Sequence, residues 1–247
     1  MDATTYHSAH PIIVKLESIL ILTEEERAAI LRLPMHVMQV RADQDIVREG
    51  DRPTRSFALL EGFACTYKTT DAGKRQITAF HIPGDIPDLQ SLHLKTLDNS
   101  VGTLTPCRVG FIQREDLREL CHAYPRLADA FWRETLIDGA VYREWVLNVG
   151  QREAYGRLAH LLCELMTRMR AVGLVQGHTC ELPMTQSELG DALGLSTVHV
   201  NRTLQDLRGA GLITLRGGSL TVDDWDGLVR AAGFDPTYLH LERPEAA

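Results

Sequence analysis

The sequence predicts an α+β protein with a β domain, a long helix and a small helical domain that ends in a β-hairpin. Three observations lead to this prediction. Residues 35–113 contain short β-rich runs between regularly spaced glycines. Residues 125–147 form a helical pattern whose only internal breaker is Gly139. Residues 185–213 contain two capped helical patterns on either side of a glycine.

The N-terminal part of the chain is expected to begin with short helices and to continue as a β-roll. Residues 12–33 have a helical pattern, in which Thr23 and Glu26 form a capping box. Glycines then recur every 11 or 12 residues, at Gly50, Gly62, Gly73 and Gly84. The β-rich runs between them are residues 56–61, 63–69 and 75–82. Short strands with turn signals at this spacing are typical of a sandwich or barrel.

The helical pattern of residues 125–147 begins with proline in its first turn, where a missing N–H is tolerated. One apolar seam along it consists of Leu127, Ala130, Ile137 and Val141. Such a seam packs either on the β domain of its own chain or on a second copy of the helix. Residues 148–151 interrupt the pattern and predict a hinge, followed by a helix from about 153 to 172.

The run TQSELGDALGLSTVHVNRTLQDLRGAGLI, residues 185–213, predicts a helix-turn-helix. Thr185 and Glu188 form a capping box, and Gly194 supplies the positive φ that a sharp turn needs. Gly190 is the small residue where the two helices must approach closely. Ser196 caps the second helix. Its outward face consists of Thr197, Val198, Asn201, Arg202 and Gln205.

A β-hairpin is predicted directly after the second helix. Residues 212–215 and 220–222 have strand patterns, and Arg216, Gly217 and Gly218 form the turn. A hairpin in this position is a wing, whose tip normally lies on a DNA backbone. The combination of cap, glycine turn, polar outer face and wing favours a DNA-binding domain.

These segments resemble the Crp/Fnr family of bacterial transcription regulators. The resemblance rests on the helix-turn-helix run and on the phrases DIVREGD and HIPGD, which are similar to the β-roll of cyclic-nucleotide-binding domains, a jelly roll. It implies the following division: an N-terminal helical segment (1–34), the β-roll (35–120), a dimerisation helix and hinge (121–150), the winged helix-turn-helix (151–226) and a C-terminal tail (227–247). A helix is expected near the start of that tail, over residues 225–232.

The resemblance also implies roles for individual residues. Arg202 stands at the base-reading arginine of the family, and we expect Thr197, Val198 and Asn201 to face bases beside it. Contacts to the DNA backbone are expected from Thr185, Ser187, Ser196, His199, Arg216 and Gly217. The seam Leu127, Ala130, Ile137 and Val141 is expected to form a dimer interface. The implied protein is a homodimer that binds double-stranded DNA at a palindromic site, and an activator would also contact RNA polymerase.

The net charge of −7 opposes DNA binding, and from residue 151 onward 9 Lys and Arg stand against 12 Asp and Glu. From residue 194 to 218, however, three arginines (Arg202, Arg208 and Arg216) stand against Asp206 alone. Backbone contact depends on the local field at the docking face, so the motif outweighs the total charge.

The phosphate-binding phrases of cyclic-nucleotide binders are altered in this sequence. Where those proteins have Gly-Glu-Leu, this chain has Pro87-Asp88-Leu89, and proline removes a backbone donor. Where an arginine pairs with the phosphate, this chain has Leu97-Asp98-Asn99-Ser100. A buried phosphate without a paired cation is costly. We therefore expect no control by cyclic AMP, and the effector stays unidentified.

We expect no cofactor, although other sensors of the family hold an iron–sulfur cluster or haem. The five cysteines are dispersed and none precedes Cys65, which argues against a cluster. His81, His93 and Cys107 are the candidate haem ligands, and each is more often a structural residue. Cys180 is either a redox-sensitive thiol or a neutral one.

Two other classes of function are weighed against DNA binding. Metal enzymes on similar β-rolls need a His-x-His pair, which is absent, so we expect no enzyme. The second class is a protein-interaction or ligand-sensing module whose winged helix no longer binds DNA. No membrane-spanning run or signal peptide is evident, which favours the cytoplasm.

Overall fold

The computed structural model describes residues 10–242. It contains eight α-helices within that range: α1 (Pro11–Glu17), α2 (Glu24–Arg32), α3 (Arg114–Ala123), α4 (Pro125–Gln151), α5 (Ala154–Ala171), α6 (Gln186–Leu193), α7 (Thr197–Gly209) and α8 (Trp225–Ala232). Its ten strands are β1 (His36–Val40), β2 (Asp45–Val47), β3 (Arg55–Glu61), β4 (Ala64–Thr69), β5 (Arg75–His81), β6 (Ser100–Thr103), β7 (Cys107–Gln113), β8 (Thr179–Glu181), β9 (Ile213–Arg216) and β10 (Ser219–Val222).

The predicted α+β class is confirmed. The strands form three antiparallel sheets, with orders β1-β7-β3, β2-β6-β4-β5 and β8-β10-β9. The first two enclose a core of apolar residues that both contribute: Val47, Phe57, Leu59, Ala64, Leu97, Val101, Cys107 and Val109. A second core joins α1, α2 and α3 to the first sheet and to the start of α4.

The described chain divides into two compact units. The first contains residues 10–68, 79–138 and 241–242, and the second contains residues 69–78 and 139–240. The division falls inside α4, whose last turns belong to the second unit. No helix among the described residues combines the length and apolar character that a bilayer crossing requires.

The break between the two helices lies just after the predicted hinge at residues 148–151, because α4 continues to Gln151 and α5 begins after Glu153. Packing explains the continuation. Asn148 is buried, and its side-chain amide donates to the carbonyl oxygen of Arg157 at 3.1 Å. Trp145, one turn earlier, donates its indole N–H to the carboxylate of Glu164 on α5 at 3.0 Å. These contacts fasten the end of α4 to the second unit.

The described residues just after α8 are packed against the second unit. A 3₁₀ turn covers Pro236–Leu239, and Leu239 is buried. The hydroxyl of Tyr238 donates to the Glu164 carboxylate at 2.7 Å. Glu164 is fully buried, and burial raises its pKa above the usual range. Residues 243–247, the rest of the predicted tail, lie outside the described residues.

Candidate nucleic-acid interface

The first helix of the helix-turn-helix begins at a complete capping box, as predicted. The backbone N–H of Glu188 donates to the hydroxyl of Thr185 at 3.2 Å, and the N–H of Thr185 donates back to the Glu188 carboxylate at 2.6 Å. The Thr185 hydroxyl also donates to that carboxylate at 2.9 Å. Thr185 therefore fixes the start of α6, while the neighbouring Ser187 is exposed.

Two glycines allow α6 and α7 to cross closely. Gly194 ends α6 with φ 64° and ψ 35°, a left-handed conformation that suits glycine. The backbone N–H of Leu195 donates to the carbonyl oxygen of Gly190 at 3.0 Å. A Cβ on Gly190 would lie 2.6 Å from the carbonyl oxygen of Leu195, too close for any side chain. The sequence-based assignment of Gly190 as the crossing residue is confirmed.

The second helix, α7, presents the predicted outer face to solvent. Ser196 caps it, since its hydroxyl accepts from the backbone N–H of His199 at 3.2 Å. The buried side of the helix consists of Val200, Thr203, Leu204 and Leu207. The exposed side carries Thr197, Val198, Asn201, Arg202 and Gln205.

Two exposed side chains of α7 have unusual freedom. Val198 is 81% exposed, the largest exposed fraction among the large apolar side chains of the described chain. Arg202 forms no ion pair with any described residue, so its guanidinium is free to meet a ligand. Asn201 is less free, because its side-chain oxygen accepts from the amide of Gln205 at 3.3 Å.

The wing forms as predicted. Strands β9 and β10 pair antiparallel, with Arg216 opposite Ser219, so the turn consists of Gly217 and Gly218. Both glycines have positive φ, 57° and 79°, as the tight type I′ hairpin turn requires. Arg216 and Gly217 are exposed at the tip.

The acidic residues after the wing have structural roles. Asp223 accepts from the hydroxyl of Thr214 at 2.8 Å. Asp224 caps α8 by accepting from the backbone N–H of Gly227 at 2.9 Å. Two of the acidic residues in this half of the chain thus hold elements of the fold.

The predicted dimer seam on α4 is wrong, because its four residues are already buried in the protomer. Leu127 and Ala130 belong to the core of the first unit, and Ile137 and Val141 are 7% and 6% exposed. The opposite side of α4 carries the exposed apolar side chains Trp132 (70%), Leu136 (59%) and Val146 (74%). A helical repeat of apolar residues does not reveal whether they pack on the same chain or on a second copy. Here the residues pack within their own chain.

The exposed side of α4 has a spacing that the sequence reasoning missed. Trp132, Leu136, Gly139, Arg143, Val146 and Gly150 follow one another at alternating steps of four and three residues. Alternating steps of four and three keep side chains on one narrow face of a helix, the pattern of a coiled-coil seam. This row is visible in the sequence, but the row of Leu127 is more apolar and gives the stronger signal.

The two phrases that correspond to the phosphate-binding residues of cyclic-nucleotide binders contain no cation in this chain. Asp88 points into the protein, where its carboxylate accepts from the Ser56 hydroxyl at 2.5 Å and from the Phe57 N–H at 3.1 Å. Burial raises its pKa to about 6. Asp98 is exposed and the Ser100 hydroxyl accepts from the Glu49 N–H at 3.0 Å, so residues 97–100 offer no cation.

The described residues offer no assembled set of ligands for an iron–sulfur cluster. They contain no group of three or more His, Cys, Asp and Glu side chains arranged to hold a metal ion. All five cysteines are free thiols and four are buried, and burial raises the pKa of Cys180 to about 11, which favours its neutral, unreactive form. Both ring nitrogens of His81 face other groups: Nε2 lies 2.7 Å from the Thr66 hydroxyl and Nδ1 3.7 Å from Asp85.

Comparison with known proteins gives matches to both halves of the chain. Residues 37–124 match the model of the cyclic nucleotide-binding domain, and residues 156–231 match the model of the Crp-like helix-turn-helix domain.

Similar whole proteins cover most of the chain. The "Transcriptional activator protein anr" of Pseudomonas aeruginosa is 28% identical over 212 residues, which cover 86% of each chain. The "Anaerobic regulatory protein" of Haemophilus influenzae is 25% identical over 220 residues, 89% of this chain and 85% of that protein. The solved structure of FixK2 from Bradyrhizobium japonicum has a TM-score of 0.74 at 24% identity and covers 81% of this chain and 98% of FixK2.

Proposed function

Because this chain belongs to the Crp/Fnr family of DNA-binding transcription regulators, which are not enzymes, we propose that it reads a palindromic DNA site as a homodimer. The observation that carries the proposal is the outer face of α7, where Arg202 is exposed and has no ion-pair partner among the described residues. An exposed arginine on the second helix of a helix-turn-helix is suited to read a guanine in the major groove.

Arg202 is the principal base-reading residue in this proposal. Its guanidinium donates a bidentate pair of hydrogen bonds to O6 and N7 of a guanine, which discriminates against other bases by about 1–3 kcal/mol. Val198 has no hydrogen-bonding group and packs on a thymine methyl group. Thr197 and Asn201 flank these two and contact neighbouring base edges.

The residues proposed to contact the DNA backbone surround the base-reading residues Thr197, Val198, Asn201 and Arg202. Helix α6 directs the free N–H groups of its first turn, beside Ser187, at a phosphate. Ser196 and His199 lie at the start of α7, and Arg216 and Gly217 lie at the wing tip. Thr185 contributes mainly through its cap, because its hydroxyl already donates to Glu188.

Dimerisation uses the exposed row of α4 in place of the buried one. Trp132, Leu136 and Val146 present apolar surface, which is unfavourable in water unless a partner covers it. Gly139 and Gly150 lie in the same row, and a Cβ on Gly150 would meet nothing within 4 Å. Their lack of side chains allows a second helix to approach closely. Two reading helices would then lie about 34 Å apart, one turn of DNA.

Cyclic AMP does not control the protein in this proposal, and neither does an iron–sulfur cluster. The inward-pointing Asp88 and the absence of a cation at residues 97–100 support the first statement, and the dispersed thiols support the second. Isothermal titration calorimetry with cyclic AMP should show no binding at micromolar concentration. As a DNA-binding protein it acts in the cytoplasm, and the activator named among its relatives supports a contact with RNA polymerase.

Selection of bound duplexes from a random DNA pool tests the proposal. The full chain should enrich a two-fold symmetric site. Arg202→Ala should lose discrimination at one G·C pair of each half-site, by about 5- to 150-fold, the equivalent of 1–3 kcal/mol. Arg230→Ala, which removes one exposed positive charge on α8, is the matched control and should keep the preference.

A variant that changes which base is preferred gives a second test. Val198→Glu should move the selected base at one position from thymine towards cytosine, because a carboxylate accepts from the cytosine amino group. Failure to enrich any duplex would favour the interaction module over a regulator. Full discrimination by Arg202→Ala would remove Arg202 from its role.

A further inference from the structure

A surface groove separates the end of α7 from the first strand of the wing. Its volume is about 450 Å³, and it is lined by Gln205, Arg208, Gly209, Ile213, Thr214 and Arg216. Four of these six residues are exposed, and Ile213 is buried and closes the base of the groove. The groove therefore lies on the outside of the second unit, directly beyond the base-reading part of α7.

Two guanidinium groups line this groove, and neither is neutralised by an ion pair within residues 10–242. Arg208 and Arg216 are exposed and form no ion pair with a described residue. One acidic side chain lies beside the groove: the Asp223 carboxylate accepts a hydrogen bond from the hydroxyl of Thr214 at 2.8 Å. Gln205 adds an amide, which donates to Asn201 at 3.3 Å. The lining is therefore cationic, with hydrogen-bond donors and one nearby carboxylate.

Gly209 leaves the groove open on the side of α7 that also carries Val198 and Arg202. Val198, Arg202, Gln205 and Gly209 recur at steps of four, three and four residues, so they lie along one side of α7. A Cβ on Gly209 would meet nothing within 4 Å. No packing constraint requires glycine here, and its absent side chain leaves room for a ligand to reach the backbone between the two arginines.

We propose that this groove binds one phosphate of the DNA backbone between Arg208 and Arg216. The inference rests on the proposed DNA-binding function and assigns to Arg208 a role that the family resemblance does not give it. Arginine donors match phosphate oxygens in geometry and charge.

The position of the groove along α7 fits this ligand. At 1.5 Å per residue, Arg208 lies about 9 Å along the helix from Arg202. The major groove is about 12 Å wide, so a helix that reads a base with Arg202 brings its last turns to the bordering phosphates. A phosphate bound there sets the depth and angle of α7 in the groove.

Salt-dependent binding to the duplex selected by the full chain tests the proposal. Arg208→Ala should weaken binding to selected and scrambled duplexes by the same factor, because a phosphate contact carries no sequence information. The slope of log K against log salt should fall by about 0.9 for each lost contact, and so by about 1.8 for a dimer. Arg230→Ala should change neither quantity.

A second pair of variants tests the groove without removing an arginine. Gly209→Glu places a carboxylate in the groove and Gly209→Gln a neutral group of the same size, and the open space around Gly209 allows both to fold. Gly209→Glu should bind more weakly than Gly209→Gln at low salt, with the difference shrinking as salt rises. Equal binding by the two, or an unchanged slope in Arg208→Ala, overturns the proposal while the wild-type chain still binds DNA. A wild-type chain that binds no duplex refutes the DNA-binding function itself.

Discussion

Replacing Gly190 by alanine should force α6 and α7 apart. The new Cβ would lie 2.6 Å from the carbonyl oxygen of Leu195, about 0.8 Å closer than the 3.4 Å at which ordinary contact begins. Backbone lies on both sides of this contact, so neither partner can rotate away. Inserting a methyl group into such a packed crossing costs about 1–3 kcal/mol.

Gly209→Ala is the matched control, since it makes the same chemical change where the Cβ meets nothing. Alanine is preferred over glycine in a helix by up to about 1 kcal/mol, and both substitutions gain from this preference. Their difference therefore isolates the collision. At roughly 4 °C per kcal/mol for a unit of this size, calorimetry should place the melting temperature of Gly190→Ala about 4–12 °C below that of Gly209→Ala.

Specific DNA binding gives the functional readout, because a shift of α7 relative to α6 moves Arg202. Gly190→Ala should lose selected-site affinity more than scrambled-site affinity. A melting temperature for Gly190→Ala equal to that of Gly209→Ala would contradict the close crossing on which the geometry of the reading face depends.

Three further predictions follow from features of the two units. Leu136→Lys should convert the dimer to a monomer, as measured by analytical ultracentrifugation, with little loss of stability because Leu136 is exposed. Leu127→Ala should instead destabilise the fold by about 2–5 kcal/mol, because Leu127 is buried. At pH 8, Cys180 should react with iodoacetamide at least about 100-fold more slowly than a free cysteine, because its pKa is about 11. Cys121 is partly exposed, and mass spectrometry should show that it is alkylated first. The pKa of Asp88 is raised from 3.8 to about 6, so between these pH values the folded state keeps a proton that the unfolded state has lost. The free energy of unfolding should therefore fall by up to about 3 kcal/mol between pH 4 and 6. Asp88→Asn should remove that part of the pH dependence.

The fold and the exposed outer face of α7 were predictable because their signals are local. Thr185 with Glu188, and Ser196 before α7, define helix starts through contacts three residues apart. Gly217 and Gly218 specify their turn through backbone conformation alone. Such features need no knowledge of the rest of the chain.

The dimer seam and the hinge were not predictable in the same way, since both depend on distant contacts. Leu127 and Leu136 lie on opposite sides of one helix, and the choice between them depends on what the β-roll and the N-terminal helices cover. The helical state of Asn148 depends on the carbonyl of Arg157 on the next helix. The inward orientation of Asp88 depends on Ser56, 32 residues away.

The shared carboxylate of Glu164 has a consequence for where the protein can be shortened. It accepts hydrogen bonds from Trp145, which precedes the helix-turn-helix, and from Tyr238, which follows the wing, so two segments far apart in the sequence meet at one side chain. Deleting the chain from residue 233 onward would remove the Tyr238 donor and the buried side chain of Leu239. A fragment intended to retain DNA binding therefore needs every residue through Leu239, even though Gly217, the last residue proposed to contact DNA, precedes that point by 22 positions.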